Sequence, residues 1–548
     1  MKISKKLVSV LLVLTMLVAL SVSVLADDTT STYTITIDKA TSGHTYNAYK
    51  VFSGDLSGNV LSTITWGDDV NSSALLAALQ DDAKFIVSGT NIFASASDAA
   101  GVAKALTGQK DNSDIMKEFA QVVGKNLSAT ATPAVSGNYD ADKKEYTITG
   151  LTAGYYFVKD ANAVTGDDAS TRYILNVVKD ITVEPKSSVP TVEKKVQENS
   201  TKYTTDAGYG AGYNDVADYN IGDTVPFELI GTLPTNYADY TTYNYVFTDT
   251  LSAGLSVPST FTFTATAKTG DTVTDVTTSF TSTVTAKTDG TTSIAFACAN
   301  LKTIQGLTAA STITIKYSAT LNSGAVIGLP GNPNEVYLTF SNNPNKGGEG
   351  EKGTTPTDKV IVFTYELDTT KVDGSDTTKT LAKAEFELYK TVDGTNNYAV
   401  VTDGKLTGWT TDEAKATKLT SDANGLFKVA GLDDGTYYLK ETKAPAGYNL
   451  LAAPVKLVIT ATTANGQNWT GTAADALTAL SIKVGNSDAV TGDTAKGTVA
   501  ATIENNAGST LPSTGGIGTT LFYVIGILLM SGAAVLLVTK KKMANREN

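Results

Sequence analysis

Cysteine and histidine are almost missing from this 548-residue chain, which holds one of each, Cys298 and His44. A lone cysteine forms no intrachain disulfide, so the covalent staple common in exported domains is excluded. Cys298 closes the run Ile294-Ala295-Phe296-Ala297-Cys298, which reads as a strand carrying a buried thiol rather than a nucleophile. One Cys and one His far apart in sequence argue against a Cys-His protease and against a His-ligated metal centre. No phosphate-binding loop and no paired carboxylates of the hydrolase kind stand out, and no cofactor or metal is expected. Basic charge is also short: 43 Lys and Arg face 55 Asp and Glu, a net charge of −12. That balance argues against nucleic acid and anionic surfaces as partners.

What is present is most telling at the two ends. Lys2, Lys5 and Lys6 precede an apolar stretch from Leu7 to Leu25, and Val24-Leu25-Ala26 fits small-residue cleavage, so 1–26 reads as a signal peptide. Near the other end an apolar run of about 22 residues, Ile517 to Val538, is long enough to cross a bilayer. Lys540, Lys541, Lys542 and Arg546 follow it and stay cytoplasmic by the positive-inside preference, giving a span and basic tail over 516–548. Just outside the span stands Leu511-Pro512-Ser513-Thr514-Gly515, which resembles the LPxTG sorting signal of Gram-positive surface proteins. The resemblance implies that a sortase cleaves between Thr514 and Gly515 and joins the Thr514 carbonyl to an amine. The membrane is then a partner only before sorting. Removing the seven basic residues and one acidic residue of the two ends leaves 36 basic against 54 acidic residues, a self-repelling extracellular surface of net −18.

The exported part, about 490 residues, is too long for one core and suggests three domains. Residues 27–189 open on alternating Tyr33, Ile35 and Ile37, a strand signature, and contain expected helices at 73–86, 97–107 and 113–126, the last capped by Ser113. Residues 190–360 are rich in Thr, Tyr, Val and Phe with period-2 runs such as Phe261, Phe263, Ala265 and Ala267, which predicts an antiparallel sandwich. Asn342 to Pro356 reads as a loop or linker. Residues 361–510 repeat the β pattern. Gly435-Thr436-Tyr437-Tyr438-Leu439-Lys440-Glu441 echoes Gly154-Tyr155-Tyr156-Phe157-Val158-Lys159-Asp160, so the first and third domains are expected to be built alike.

The third domain places polar groups on inward faces. Lys371 shares strand parity with Leu367 and Thr369, Glu441 with Tyr437 and Leu439, and Asn505 follows Ile503. Burying Lys or Glu unpaired costs several kcal/mol, so this trio forms an ion network or has reacted. Apolar burial lowers a lysine pKa and raises that of a carboxylic acid. A neutral amine can then attack the Asn carboxamide while the acid polarises its oxygen; ammonia leaves and a Lys–Asn amide remains. Like a disulfide, such a bond restricts the unfolded chain.

Leu381–Lys390 and Glu441-Thr442-Lys443-Ala444-Pro445-Ala446-Gly447-Tyr448 resemble the collagen-adhesin B-type (Cna-type) domain, whose E-box glutamate catalyses isopeptide formation. With Leu511–Gly515, the chain resembles a sortase-assembled Gram-positive major pilin, the backbone fimbrial subunit. The fold class expected is therefore mainly β: tandem Ig-like β-sandwich domains, the first with helical insertions. In the middle domain Lys194 has the parity of Val192 and Val196 and is preferred to Lys195, while Asp249 continues the face of Tyr245, Phe247 and Leu251. The acceptor is Asn334 or Asn342, which share a face; parallel first and last strands favour Asn334. The plainer alternative is an Asp salt-bridged to a Lys. In the first domain Lys39 and Asp160 occupy comparable positions, but Pro185 stands where Asn505 would and carries no carboxamide.

In that family the lysine that receives Thr514 lies in a motif resembling Trp-x-x-x-Val-x-Val-Tyr-Pro-Lys. Ile181-Thr182-Val183-Glu184-Pro185-Lys186 occupies its place, with Glu184 in place of Tyr and Val177 in place of Trp. The resemblance implies Lys186 as the intersubunit lysine, with Lys179 in reserve. The implied protein is not an enzyme but a shaft subunit, with sortases (pilus-specific and housekeeping), copies of itself, minor pilins and peptidoglycan as partners, located on the cell wall. The competing readings are a monomeric LPxTG-anchored adhesin, which has no need of Lys186, and a tip or base pilin.

Overall fold

In the computed structural model the described residues are 31–111, 113–185, 187–200, 209–464, 469, 471–508 and 517–544. The expected signal peptide, Lys186 and the sorting signal with Thr514 lie outside them.

In the first domain Thr32–Ile37 pairs in parallel with Ile181–Val183 and antiparallel with Tyr146–Thr152. A second sheet runs Val60–Trp66, Tyr46–Ser57, Gly154–Asp160, Arg172–Val177. The strand Gly154–Asp160 is buried on both faces because it separates two cores. Tyr156 and Val158 pack with Ile35, Ile37 and Tyr46, whereas Tyr155 and Phe157 pack against the helices through Phe119 and Val123. The helices are Ser72–Asp81, Ala99–Leu106 and Asp114–Lys125. Ser113 caps the last by accepting from Met116 N. The helix expected over 73–86 stops at Asp81, because the Asp82 carboxylate accepts from Lys84 N (2.9 Å) and opens a separate 3-10 turn, Ala83–Phe85.

The middle domain is a sandwich of two sheets. One runs Tyr213–Asn214, Val192–Gln197, Thr224–Thr232, Thr312–Leu321, Phe263–Thr269, Thr272–Asp275. The other runs Val216–Asp218, Asp358–Phe363, Asn332–Ser341, Tyr245–Leu251, Thr292–Cys298, Thr281–Ala286. Strict alternation in Tyr245–Leu251 turns Tyr245, Phe247, Asp249 and Leu251 inward. Cys298 is a buried free thiol, as its strand pattern predicts. The sandwich extends past residue 360, since Asp358–Phe363 pairs with Asn332–Ser341. The first strand, Val192–Gln197, lies in the sheet facing Asn332–Ser341, so the expected parallel pairing of first and late strands does not occur here.

That pairing does occur in the third domain, where Tyr365–Asp373 runs parallel to Thr498–Asn505 with Lys371 opposite Ile503 and Asp373 opposite Asn505. The first and third domains thus share one device, a first strand zipped to the last. Gly435–Lys443 lies between Glu385–Val392 and Val455–Thr463.

Asn342–Pro356 is not a free linker. Lys352–Thr354 pairs with the end of Asn332–Ser341, and the segment binds the first domain. Ser170 N donates to Asn342 O (2.8 Å), Asn342 Nδ2 to Val164 O (2.7 Å), Thr354 N to Gly166 O (2.7 Å) and Arg172 Nη1 to Pro344 O (2.7 Å). The middle and third domains share one continuous apolar core. At their junction Ile221 N donates to Gly431 O (2.9 Å); Gly431 has φ +95°, and a Cβ there would fall 2.5 Å from Ile221 Cδ1. Carboxylate oxygens of Asp218, Asp433 and Asp434 lie within 4.8 Å of one another beside it, with Asn199 donating to Asp433 (2.9 Å). A C-terminal helix, Ile517–Ala544, is long and apolar enough to cross a membrane over Thr520–Met543, with a mean hydropathy of 2.6.

Candidate crosslinking sites

In the middle domain four side chains meet between the sheets, and none has exposed surface beyond the edge of one ring. On one sheet Leu251 is opposite Asn334 and Asp249 opposite Val336, which puts Asp249 and Asn334 on the same inner face as diagonal neighbours. Lys194 and Tyr317 reach in from the facing sheet. Lys194 Nζ donates to Asp249 Oδ1 and lies 3.3 Å from the Tyr317 hydroxyl. The Tyr317 hydroxyl donates to Asp249 Oδ2 and accepts from Asn334 Nδ2 at 2.7 Å. Among the described residues Asn334 Oδ1 has no hydrogen-bond partner. The Phe227 ring has its centre 5.1 Å from Lys194 Nζ and stacks on Tyr317 (5.5 Å), so the wall of the site is aromatic and buried.

Burial governs the charges. It lowers the Lys194 pKa more than the nearby Asp249 raises it, and it raises Asp249 more than Lys194 lowers it. Both directions favour the neutral amine beside the neutral acid, the state in which an amine is nucleophilic. Lys195, also buried, points away and donates to Asp215 Oδ1 (2.7 Å). Asn342, the alternative acceptor, is held by Val164 O and by Asp168 O (3.3 Å) in the first domain.

The third domain gathers its set differently. Asn505 Nδ2 donates straight to Glu441 Oε2 (3.0 Å) and to Asn449 O (2.7 Å), and Leu451 N donates to the same Glu441 oxygen (2.9 Å). Lys371 Nζ is turned to the backbone, donating to Ile503 O (2.9 Å) and Val372 O (3.1 Å). Burial pulls Lys371 down to about 8, against the raising effect of Glu441. Among the described residues Glu441 Oε1 and Asn505 Oδ1 lack hydrogen-bond partners.

The first domain brings no comparable trio together. Lys39 does not continue the Ile35/Ile37 face: the strand ends at Ile37, Lys39 takes a left-handed φ of 56°, and its exposed ammonium pairs with Glu184. Asp160 is buried as its alignment with Glu441 predicts, yet its partner is His44, whose Nδ1 lies 2.8 Å from Asp160 Oδ1 and Nε2 2.9 Å from Asp168 Oδ2. Both ring nitrogens face carboxylates, the arrangement of an imidazolium donating twice. Burial opposes that charge, but the bonds to Asp160 and Asp168 outweigh it and raise His44 to about 9. Sequence reasoning missed His44 and Tyr317. The one available signal for Tyr317 was its hydroxyl on the inward face of Ile313, Ile315, Ala319 and Leu321.

An apolar C-terminal helix, tandem sandwiches and a motif for covalent transfer define a wall-anchored, multidomain surface protein. Three family models match in chain order: Gram-positive pilin backbone subunit 2, Cna-B-like domain, at 221–344; prealbumin-like fold domain at 365–472; and LPXTG cell wall anchor motif at 503–545. The trypsin-resistant surface T6 protein of Streptococcus pyogenes serotype M6 is 26% identical over 459 residues, covering 74% of this chain and 77% of its own. Among solved structures, the T6 backbone pilin of the same organism is 15% identical with TM-score 0.48, covering 89% of this chain and all of that one. The full-length major pilin SpaD of Corynebacterium diphtheriae is 18% identical with TM-score 0.45, covering 88% and 99%. Together these matches support a Gram-positive major pilin. It is a structural subunit of a pilus shaft, not an enzyme; it polymerises with itself and is attached to the cell wall by sortase.

Proposed function

We propose that each subunit carries two intramolecular amides, Lys194–Asn334 and Lys371–Asn505, formed once per molecule with Asp249 and Glu441 as the acids. One further amide, between Lys186 and Thr514 of neighbouring copies, joins the subunits. A pilus-specific sortase makes that bond, a housekeeping sortase transfers the finished polymer to peptidoglycan, and minor pilins are further partners. The observation that carries the reading is the fully buried Lys194–Asp249–Asn334 set, in which lysine and acid are driven toward their neutral forms beside a carboxamide. Asn334 is preferred to Asn342 because it shares the hydroxyl that binds Asp249, whereas Asn342 serves the first-domain contact.

The polymer linkage gives these bonds a mechanical purpose. Lys186 falls between the last strand of the first domain and the first strand of the middle domain. Tension entering at Lys186 and leaving at Thr514 runs through the middle and third domains only, the two that have a lysine, an acid and an asparagine in one core. The first domain hangs off that path. Resistance to proteolysis, the property in the T6 relative's name, is the expected companion. Intact-mass measurement of the exported chain tests the reading. Two ammonia losses are expected, one abolished by Lys194→Ala and the other by Lys371→Ala; an unmodified mass contradicts it.

A further inference from the structure

The two acids differ in reach. Glu441 accepts directly from its carboxamide nitrogen (3.0 Å), whereas the Asn334 nitrogen donates to the Tyr317 hydroxyl (2.7 Å), which in turn donates to Asp249, a carboxyl near enough for Asn334 to act on it as a further donor. That hydroxyl donates to the acid, accepts from the amide nitrogen and sits 3.3 Å from the lysine nitrogen, so it touches every group the reaction would change. A tyrosine placed only for packing needs none of these contacts, since its ring already stacks on Phe227 (5.5 Å) and meets Phe296 (5.4 Å).

We propose that Tyr317 is a catalytic residue of the middle domain, its hydroxyl relaying a proton from Asp249 to the departing nitrogen of Asn334. The proposal rests on the crosslink reading above. Asp249 first takes a proton from the Lys194 ammonium. The freed lone pair on Nζ attacks Cγ of Asn334, making the Nζ–Cγ bond and moving the carbonyl electrons onto Oδ1. Asp249 passes its proton to the Tyr317 oxygen as Tyr317 gives its own to Nδ2, and Asp249 then takes the second proton from Nζ. Collapse of the oxyanion restores the carbonyl and breaks the Cγ–Nδ2 bond. Nδ2 leaves as ammonia, which removes the second proton as ammonium and leaves Asp249 a carboxylate again. The hydroxyl ends unchanged, as a relay must.

Burial of the whole site favours an internal relay. No described side chain other than Tyr317, Lys194 and Asp249 is hydrogen-bonded to these reacting groups, and the aromatic wall keeps solvent from supplying a proton. The third domain has no such need, because Glu441 already holds the nitrogen that departs.

The test is cell-free synthesis of the exported chain, sampled over time, with each ammonia loss assigned by tandem mass spectrometry. The Lys371–Asn505 bond serves as an internal clock. Tyr317→Phe keeps the ring and removes the relay. The middle-domain bond is expected to form about 100-fold more slowly than in wild type, the usual worth of a positioned proton donor, while the third-domain bond keeps its rate. A middle-domain rate in Tyr317→Phe equal to that of wild type, measured against the third-domain clock, overturns the relay and leaves the crosslinks standing. A wild-type chain without the middle-domain bond overturns the crosslink reading itself. Should Tyr317→Phe fail to fold, shown by loss of the cooperative melt, the same time course is run with 3-fluorotyrosine replacing tyrosine. The fluorinated ring packs alike but has a more acidic hydroxyl; a changed rate confined to the middle domain supports the relay, and unchanged rates at both sites overturn it.

Discussion

The middle and third domains assemble the same three side-chain types from different strands. In the middle domain the acid and the acceptor are neighbours on one sheet and the lysine crosses from the other. In the third, the lysine and the acceptor are neighbours on parallel strands and the acid arrives from Gly435–Lys443. One bond would tie two sheets across the core; the other would tie the first strand to the last within a sheet. The proposed chemistry would therefore not depend on a strand order. It would depend on three buried, inward positions converging, and on an acid that reaches, directly or through a hydroxyl.

The difference has mechanical consequences. A Lys371–Asn505 bond connects the two strands by which force enters and leaves the third domain. A Lys194–Asn334 bond leaves residues 335–363 beyond the tie, including the strand Asp358–Phe363.

The largest effect expected comes from removing one lysine. Each bond closes a loop of roughly 140 residues, worth about 5 kcal/mol by the chain-entropy rule for crosslinks. Because the two domains share one core, Lys194→Ala and Lys371→Ala should each destabilise their common transition by about that amount and the double variant by about twice as much; a double variant no weaker than either single one would mean that the two domains are not separately stapled. Pulling single molecules between the two ends should extend the middle domain by at most about 100 Å, the reach of some 30 residues, and the third by much less. Equal, complete unfolding of both erases the contrast.

The first domain offers a third term of comparison, an ionic strut in place of a staple. His44 titrates near 6.5 unfolded and about 9 folded, so its contribution is fully present below about pH 6.5 and lost as pH rises toward 9. The first-domain transition should weaken by roughly 2–3 kcal/mol over that window while the remainder of the chain holds. His44→Gln should abolish the pH dependence, and a pH-independent transition in wild type would count against the imidazolium. The smallest effect is expected from Asn342→Ala. It removes two hydrogen bonds to the first domain, loosening that contact by about 1–3 kcal/mol, and leaves both ammonia losses in place. Disappearance of one of the two ammonia losses in Asn342→Ala would make Asn342 the acceptor.

Much of this was legible in the sequence because strand parity is simple to read. A lysine between Val192 and Val196, or an aspartate between Phe247 and Leu251, stands out on an apolar face and is found buried there. Parity fails where strands end. Lys39 keeps the alternation on paper, but the chain turns at Asp38 and throws it outward. Asn334 and Asn342 share parity too; only the sandwich's length along that strand separates them, since Asn342 passes its end and meets another domain. Which sheet receives each strand is a long-range choice with no local mark, so Lys194 faced Asn332–Ser341 rather than pairing with it. Tyr317 looked like one more core aromatic, and His44 has its second carboxylate 124 positions away.

Tandem mass spectrometry of a tryptic digest of the purified exported chain tests the central claim most directly. The account predicts two branched peptides, one joining Lys194 to Asn334 and one joining Lys371 to Asn505, each lighter by one ammonia. Finding those four residues only in linear, unmodified peptides would contradict it.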